Sequence, residues 1–170
     1  MDLNPPLGLA KVVAALTEAE WQDIIHLRVI NMGNLDRDVI EFVLTKYRSW
    51  AIVGASNNPS RPSNDVMSFM DDLGYRVIPI NPNEETVLGK KCYKDLAAAS
   101  LDHEIEVVDV FRKPSEALNV ARQALAINAR AIWFQLGVVS FEAASLGEEA
   151  GLLVVMDACP KIEIPKLGIS

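Results

Sequence analysis

The segment VGASNNPSRPSNDVM (residues 53–67) contains the transition that decides the fold. A hydrophobic run stops at Gly54, which lets the backbone turn with no side chain in the way. Polar residues follow, and helical spacing begins at Pro62. The amides of such a turn and the amino end of the helix can donate hydrogen bonds to a phosphate, helped by the helix dipole. The segment therefore predicts a strand, a phosphate-binding turn and a helix.

The side chains of this turn suit an anion, and the glycine pattern limits which one. Ser56 and Ser63 offer hydroxyls, and Arg61 offers a guanidinium group that matches phosphate oxygens. A P-loop would need a following G-K-[ST], which the segment lacks. The alternative is a turn whose glycine and serines only form the corner, since a single Gly–Ser corner is common.

A nicotinamide dinucleotide fits this turn poorly. Its site would have G-x-G-x-x-G here and an acidic residue at the end of the second strand. Only one of those glycines is present, and the second strand ends in Asn81 and Pro82, with Glu84 and Glu85 a few residues beyond. The sequence disfavours NAD and NADP, which stay as the alternative ligands.

From residue 49 onward, short runs rich in Val and Ile alternate with helical segments. The runs show little polar alternation, which is typical of strands covered on both faces. The predicted strands are residues 50–53, 76–80, 105–111, 131–134 and 152–156. The predicted helices are residues 62–74, 94–99, 114–128 and 140–151. This alternation predicts an α/β fold, a Rossmann-like doubly wound three-layer sandwich with a five-stranded parallel sheet.

The first 48 residues carry two helical patterns instead. Thr17 and Glu20 have the spacing of a capping box ahead of Trp21. Asp36 begins a second helix that leads into the first strand. We expect an N-terminal helical extension over residues 1–34 and a Rossmann-like domain over residues 35–170. The extension is expected to pack on the sheet or on a second subunit, as in a homodimer.

Composition excludes several classes of protein. The net charge of -7 argues against a general binder of nucleic acid or of membrane surfaces, although it leaves room for one basic cleft. No run approaches the ~20 apolar residues of a membrane span, and the amino terminus resembles neither a signal nor a transit peptide. The two cysteines lie far apart without metal-ligand spacing, which predicts reduced thiols and a cytoplasmic protein.

The residues that follow the five predicted strands form a second pattern. In an open α/β sheet, ligands bind outside the carboxyl ends of the strands, near the switch in strand order. The segments at those ends are polar, turn-forming or cationic, whereas the strands before them are apolar. They are Gly54-Ala55-Ser56, Asn81-Pro82, Phe111-Arg112, Gln135-Leu136-Gly137 and Asp157-Ala158-Cys159-Pro160-Lys161. The sequence therefore predicts that this edge of the sheet binds a ligand.

Five motifs in order carry a resemblance to a known family. They are the turn itself, INPNEETVLGKKCY, VDVFRKP, WFQLGV and VVMDACPKIEIP. Together they resemble the small CoA-binding proteins, which are similar to the amino-terminal CoA-binding domain of the succinyl-CoA ligase alpha subunit. The similarity runs over residues 35–165. It implies a coenzyme A molecule laid across the carboxyl edge of the sheet and makes residues 35–170 the CoA-binding domain.

The resemblance also assigns positions to the parts of coenzyme A. The turn after the first strand would hold the phosphates. The segments after the second and third strands would contact the nucleotide, and the segment after the fourth would lie along the pantetheine arm. The segment after the fifth strand would close the far side of the site. The implied binding residues are Gly54, Ala55, Ser56, Arg61, Pro62, Ser63, Asn81, Pro82, Lys90, Phe111, Arg112, Gln135, Leu136, Gly137, Cys159 and Lys161.

One departure from the ligase concerns charge. The ligase domain carries a lysine that can meet the 3′-phosphate, and the corresponding stretch here is the acidic Asn83-Glu84. Lys90, Lys91 or Arg112 would have to supply that charge.

A second departure concerns catalysis, because the chain lacks the ligase's phosphohistidine domain and we find no nucleophile–base set. His26 and His103 are expected to be surface or structural residues, and Asp109 and Asp157 are expected to cap backbone amides. Cys159 is expected to be buried and inert, the alternative being a mixed disulfide with CoA.

These features predict a module that binds coenzyme A or acyl-CoA as a non-catalytic carrier or sensor. The alternatives are an NAD(P)-binding oxidoreductase-like protein, an acyl-CoA enzyme completed by a partner, and a scaffold with a remnant pocket. Both an enzyme and a non-enzymatic protein stay open, and the lack of a set of catalytic residues favours a protein that is not an enzyme.

Overall fold

A computed structural model describes residues 35–169 of the chain. A five-stranded sheet lies between two layers of helices, and a short hairpin stands apart from it. The elements are α1 (Leu35–Lys46), β1 (Ser49–Val53), α2 (Pro62–Asp72), β2 (Arg76–Ile80), β3 (Thr86–Val87), β4 (Lys90–Lys91), α3 (Leu96–Ser100), β5 (Val107–Val110), α4 (Ala117–Ala126), β6 (Ala131–Phe134), α5 (Phe141–Glu149), β7 (Leu153–Val155) and α6 (Pro160–Leu167).

The sheet has the order β2-β1-β5-β6-β7, and all of its pairings are parallel. The chain moves outward in one direction from β1 to β2, and then in the other direction from β5 to β7. The switch in strand order therefore falls between β1 and β5, where doubly wound sheets bind their ligands. The predicted Rossmann-like fold with five parallel strands is confirmed.

The strand register aligns four carboxyl ends in one row. Val53 of β1 pairs with Ile80 of β2 on one side and with Val110 of β5 on the other. Val110 in turn pairs with Phe134 of β6. The residues that follow these four therefore leave the sheet side by side.

The sheet separates two hydrophobic cores, and each strand supplies alternate residues to them. Helices α1, α2 and α6 cover one face, and α3, α4 and α5 cover the other. Within β1, Trp50 and Ile52 belong to the first core and Ala51 to the second. Trp50 and Trp133 are fully buried with ring centroids 5.5 Å apart, so both tryptophans serve packing.

Sequence signals locate most element boundaries. Strands β2 and β6 have the predicted bounds, whereas β5 is shorter than its hydrophobic run. Ser140 caps α5 by accepting a hydrogen bond from the Ala143 amide, and Asn128 takes the left-handed conformation after α4 (φ 56). The predicted helix near Trp21 lies outside the described residues. No helix in the described range is long and apolar enough to cross a membrane.

Two observed elements have no counterpart among the predicted ones. The β3–β4 hairpin has a two-residue loop, Leu88 and Gly89, and both have positive φ, as a tight hairpin turn requires. Helix α6 starts with Pro160 at its first position and ends at Gly168, which is left-handed. Its eight residues include Pro165, a helix breaker that obscures the helical pattern in the sequence.

A cleft at the carboxyl edge of the sheet

The aligned strand ends form the base of a cleft of about 480 Å³. Its walls come from the turn after β1, the start of α2, the segments after β2, β5 and β6, and the start of α6. The lining residues are Gly54, Ser56, Arg61, Pro62, Ser63, Val66, Asn81, Phe111, Arg112, Gln135, Leu136, Val138 and Cys159. The fold thus gathers residues that are distant in sequence at the switch in strand order.

Gly54 is required by the close approach of two turns. Its φ is +91°, and a Cβ atom at this position would lie 2.5 Å from the carbonyl oxygen of Phe111. No side chain larger than hydrogen fits between the ends of β1 and β5 without moving backbone. The Gly54 amide donates to the Ile80 carbonyl (3.0 Å), which ties the turn to β2.

Two asparagine side chains hold the turn open toward the cleft. Asn81 donates its amide to the Ala55 carbonyl (2.7 Å), and Asn64 of α2 donates to the Ser56 carbonyl (2.9 Å). The carbonyl oxygens of Ala55 and Ser56 therefore have partners. Within residues 35–169, the backbone amides of Ser56 and Asn57 meet no acceptor. The turn offers donors with few competing acceptors, which is the arrangement that an anion needs.

Asn57 connects the same turn to the β3–β4 hairpin. Its side-chain oxygen accepts from the Leu88 amide (3.0 Å), and its side-chain nitrogen donates to the Thr86 carbonyl and to Glu84 (3.2 Å). Glu84 is thereby engaged beside the turn and does not line the cleft.

Helix α2 begins at the cleft with free donors. Pro62 occupies its first position, and no side chain caps the helix there. Ser63 is buried, lines the cleft and has neither its amide nor its hydroxyl bonded to any described residue. Arg61 is exposed and forms no ion pair within the described part of the chain. An anion here would gain the helix dipole, a hydroxyl and a guanidinium group.

Arg112 is the second cation on the cleft wall. Its guanidinium group forms an ion pair with Glu116 one helical turn away (2.9 Å), with about 40% of both side chains exposed. An exposed pair of this kind contributes little to stability, so the guanidinium group can exchange Glu116 for a ligand anion at small cost.

A buried carboxyl group lies beneath the cleft floor. Asp109 of β5 is fully buried, and Gln135 donates its side-chain nitrogen to both carboxyl oxygens (2.9 and 3.1 Å). Loss of solvation raises the pKa of Asp109 to about 8, although its hydrogen bonds oppose the shift. The predicted role of Asp109 as a cap for a backbone amide is only part of what it does.

Cys159 lines the far wall at the start of α6. Burial raises the pKa of its thiol above the usual range, and the neighbouring Asp109 adds to the rise. The sulfur is therefore a protonated, mostly buried thiol, which agrees with the expectation of an inert side chain.

Five implied binding residues lie away from the cleft wall. Ala55 is buried beneath the turn, and Pro82 is exposed. Lys90 pairs with Asp71 (3.0 Å), Lys161 pairs with Asp65 (2.6 Å), and the Gly137 amide donates to Asp157 (2.8 Å). The last contact confirms the expected capping role of Asp157.

Sequence reasoning also missed residues at the site. Val66 and Val138 line the cleft. In the sequence, Val66 belongs to the apolar stripe of a helix and Val138 is a valine in a loop, and both patterns indicate a residue of the hydrophobic core. Asn57 and Asn64 shape the turn without reaching the cleft, and no motif distinguishes them from other turn asparagines.

The described residues contain no group of three or more His, Cys, Asp or Glu side chains that could hold a metal ion. His103 lies 3.0 Å from the Tyr93 hydroxyl, remote from the cleft. The cleft chemistry is accordingly that of hydrogen-bond donors, two cations and apolar walls.

A doubly wound sheet with a cleft of hydrogen-bond donors and cations at its switch point is typical of nucleotide-binding α/β proteins. The family within that class is also shown. The sequence pattern described as "CoA binding domain" matches residues 48–165, and the chain belongs to this family.

Relatives with similar length support the assignment. The chain is 36% identical over 131 residues to the protein YneT of Bacillus subtilis (strain 168), covering 77% of this chain and 96% of that one. A hypothetical protein from Pyrococcus horikoshii OT3 has a similar solved structure, with a TM-score of 0.73, 40% identity, and coverage of 78% of this chain and 91% of that one.

A shorter match reaches a larger enzyme. The ADP-forming acetate–CoA ligase of Methanocaldococcus jannaschii is 32% identical over 63 residues, which is 37% of this chain and 9% of the ligase.

Proposed function

We propose that this protein binds coenzyme A or an acyl-CoA in the cleft at the carboxyl edge, as a non-catalytic carrier or sensor. Residues 35–170 would be the binding domain, preceded by a helical extension over residues 1–34. Membership of the CoA-binding domain family supports the identity of the ligand. Cys92 and Cys159 are free thiols, which suits a cytoplasmic location.

The single observation that carries the proposal is the turn after β1. Asn81 and Asn64 bond the carbonyl oxygens of Ala55 and Ser56, while the amides of Ser56 and Asn57 face no acceptor among the described residues. Arg61 stands at the entrance without an ion pair in residues 35–169, although the chain as a whole carries a charge of -7. These features support a phosphate-binding loop that holds the pyrophosphate of CoA.

The cation for the 3′-phosphate is proposed to be Arg112. Of the three residues considered from the sequence, Lys90 pairs with Asp71 and Lys91 with Asp102, and neither lines the cleft. Arg112 lines it and has an exposed, easily exchanged partner.

The proposal predicts binding of CoA and acetyl-CoA, and weak or no binding of NAD and NADP, in titration calorimetry. A dinucleotide site would have a carboxylate for the ribose hydroxyls at the end of β2. Asn81 occupies that position, and the nearby carboxylate of Glu84 is bonded to Asn57. Tight binding of NAD without CoA binding would refute the proposal.

Arg61→Ala tests the phosphate placement within that experiment. Loss of a charged hydrogen bond of about 1.5–3 kcal/mol corresponds to a weakening of CoA binding by roughly tenfold to a hundredfold. Arg76→Ala is the matched control, because Arg76 is also exposed but lies at the amino end of β2. Equal affinities of the two variants would show that the phosphates lie elsewhere.

A carrier or sensor leaves its ligand intact. Acetyl-CoA incubated with the purified protein is therefore expected to be recovered unchanged, with no free thiol released. Thioester cleavage or formation by the chain alone would instead establish an enzyme.

A further inference from the structure

The Asp109–Gln135 pair beneath the cleft has one side chain fully buried and the other on the cleft wall. The Gln135 side-chain nitrogen contacts both carboxyl oxygens, at 2.9 and 3.1 Å. An ionised carboxylate only accepts hydrogen bonds, so it fixes the amide with its nitrogen inward. The side-chain oxygen of Gln135 must then point the other way.

The outward atom is available to a ligand. Across the described residues, no donor contacts the Oε1 atom of Gln135, and this atom is not among the fully enclosed unpaired atoms. Gln135 lines the cleft, so its Oε1 is accessible from the cleft. It is an acceptor in a wall that also carries the Arg61 and Arg112 cations.

Protonation of Asp109 would reverse this arrangement. A neutral carboxyl group must donate its proton, and a buried donor without an acceptor is costly. A half-turn of the Gln135 amide supplies that acceptor and carries the side-chain nitrogen to the cleft side.

We propose that Asp109 is a positioning residue for ligand binding: when ionised, it makes Gln135 present an acceptor to the cleft, and when protonated, it makes Gln135 present a donor. The inference rests on the proposed function, because the partner of the acceptor is an amide N–H of the pantetheine arm of CoA or acyl-CoA. Ligand binding then favours the ionised form, so it releases a proton and strengthens as the pH rises.

The other titratable groups around Asp109 are few. Strands β1 and β6 on either side carry none. From the helical layer, the Cys159 thiol and the Asp65–Lys161 ion pair face the same region. Arg61 and Arg112 stand on the cleft wall. Burial raises the pKa of Asp109 to about 8, which places its titration within the working range of a binding experiment.

The test measures acetyl-CoA affinity by calorimetry from pH 7 to 9. Acetyl-CoA is the probe because its sulfur is acylated and does not titrate. If only the ionised form of Asp109 supports the Gln135 contact, affinity should rise roughly tenfold over this range. Asp109→Asn, which cannot titrate, should show a flat profile. Asp72→Asn, which removes an exposed carboxylate from the far end of α2, should keep the tenfold rise.

A second measurement needs neither ligand nor variant. In the free protein, the side-chain NH₂ resonances of Gln135 should shift with the same midpoint as the Asp109 carboxyl carbon. A static Gln135 signal while Asp109 titrates would overturn the inference, as would identical pH profiles in the wild type and Asp109→Asn.

The two failures can be told apart. If acetyl-CoA binds at no pH while the Gln135 signal follows Asp109, the switch stands and the proposed ligand is wrong. If acetyl-CoA binds with a pH-independent affinity, the ligand stands and the switch is wrong.

Discussion

The two edges of the sheet carry cavities of similar volume, about 480 Å³ at the carboxyl edge and about 500 Å³ at the amino edge. At the amino edge the backbone amides of Arg48 and Ser49 and the Ser49 hydroxyl all have acceptors. Glu106 accepts from the amides of Arg48 and Ser49 (2.8 and 2.9 Å), and Ser49 donates to the Glu104 carbonyl (2.6 Å). The Arg48 guanidinium group lies 4.7 Å from the centre of the Tyr75 ring.

The carboxyl edge differs in how its donors are used. There the asparagine side chains bond the Ala55 and Ser56 carbonyls, while the amides of Ser56 and Asn57 and the Ser63 hydroxyl have no partner among the described residues. Volume alone therefore does not distinguish a binding edge from a structural one. The unsatisfied donors do, because a ligand can gain only the hydrogen bonds that the protein has not already made.

The largest effect is expected from Gly54→Ala at the carboxyl edge. The new methyl group would meet the Phe111 carbonyl, and alanine would have to adopt the positive φ of +91° that this turn requires. We expect a loss of more than about 3 kcal/mol in the free energy of unfolding by urea, together with loss of CoA binding.

Gly74→Ala at the amino edge is the matched control for that variant. Gly74 has a similar φ of +83°, but no other group lies within 4 Å of the place that a Cβ atom would take. Backbone strain should lower the free energy of unfolding of this variant by only about 1–2 kcal/mol, and CoA binding should stay intact. Equal losses in the two variants would show that the clash with Phe111 is absent.

The next largest effect concerns Asp109 and pH. The pKa of Asp109 is about 8 in the folded chain against an ordinary value of 3.8, so the folded state holds a proton that the unfolded state loses over this range. The contribution of Asp109 to the free energy of unfolding is therefore complete below the unfolded pKa of 3.8. It decreases as the pH rises from there toward the folded pKa of about 8. The loss is about 1.4 kcal/mol per pH unit.

Urea denaturation at pH 5 and pH 7 measures this loss. Wild-type protein should lose roughly 2–3 kcal/mol more than Asp109→Asn between these two pH values. Parallel pH dependence in the two proteins would mean that the carboxyl group is solvated.

A smaller effect is expected from Glu106→Ala at the amino edge. This variant leaves the amides of Arg48 and Ser49 without their acceptor. It should lower the free energy of unfolding by about 1–3 kcal/mol while CoA affinity stays unchanged. A change in affinity without a change in stability would contradict the structural role of this edge.

The smallest effect compares Arg112→Ala with Lys90→Ala. If Arg112 contacts the 3′-phosphate, the Arg112 variant should lose about 1 kcal/mol of CoA binding and nothing for 3′-dephospho-CoA, since the contact is exposed. Lys90→Ala should bind both ligands as the wild type does, because Lys90 is paired with Asp71. If the two variants lost the same amount of affinity for CoA relative to 3′-dephospho-CoA, the 3′-phosphate would lie elsewhere.

The sheet and the edge that carries the cleft could be predicted because they depend on local signals. Apolar runs identify buried strands, and the residues after parallel strands necessarily meet at one edge. Val66 and Val138 could not be placed at the cleft, since an apolar side chain gives the same signal in a core and in a cleft wall. The pairing of Lys90 with Asp71 and of Lys161 with Asp65 depends on tertiary positions that no local pattern encodes.

The Asp109–Gln135 contact marks another limit. The two residues are 26 positions apart. Asp109 lies on β5 opposite Trp133, and Gln135 directly follows the neighbouring strand β6. An isolated aspartate in an apolar strand predicts a satisfied polar group, but its partner follows only from the alignment of β5 with β6.

Four strands end in line at the carboxyl edge, at Val53, Ile80, Val110 and Phe134, and this alignment affects how the cleft of such a protein can diversify. Because all four strands stop at the same height, each connecting segment contributes one wall of the cleft. A change in one segment must still keep the contacts that join it to its neighbours, such as the hydrogen bond from Asn81 to the Ala55 carbonyl. A longer or differently charged connection would remodel recognition while the layers beneath keep their packing.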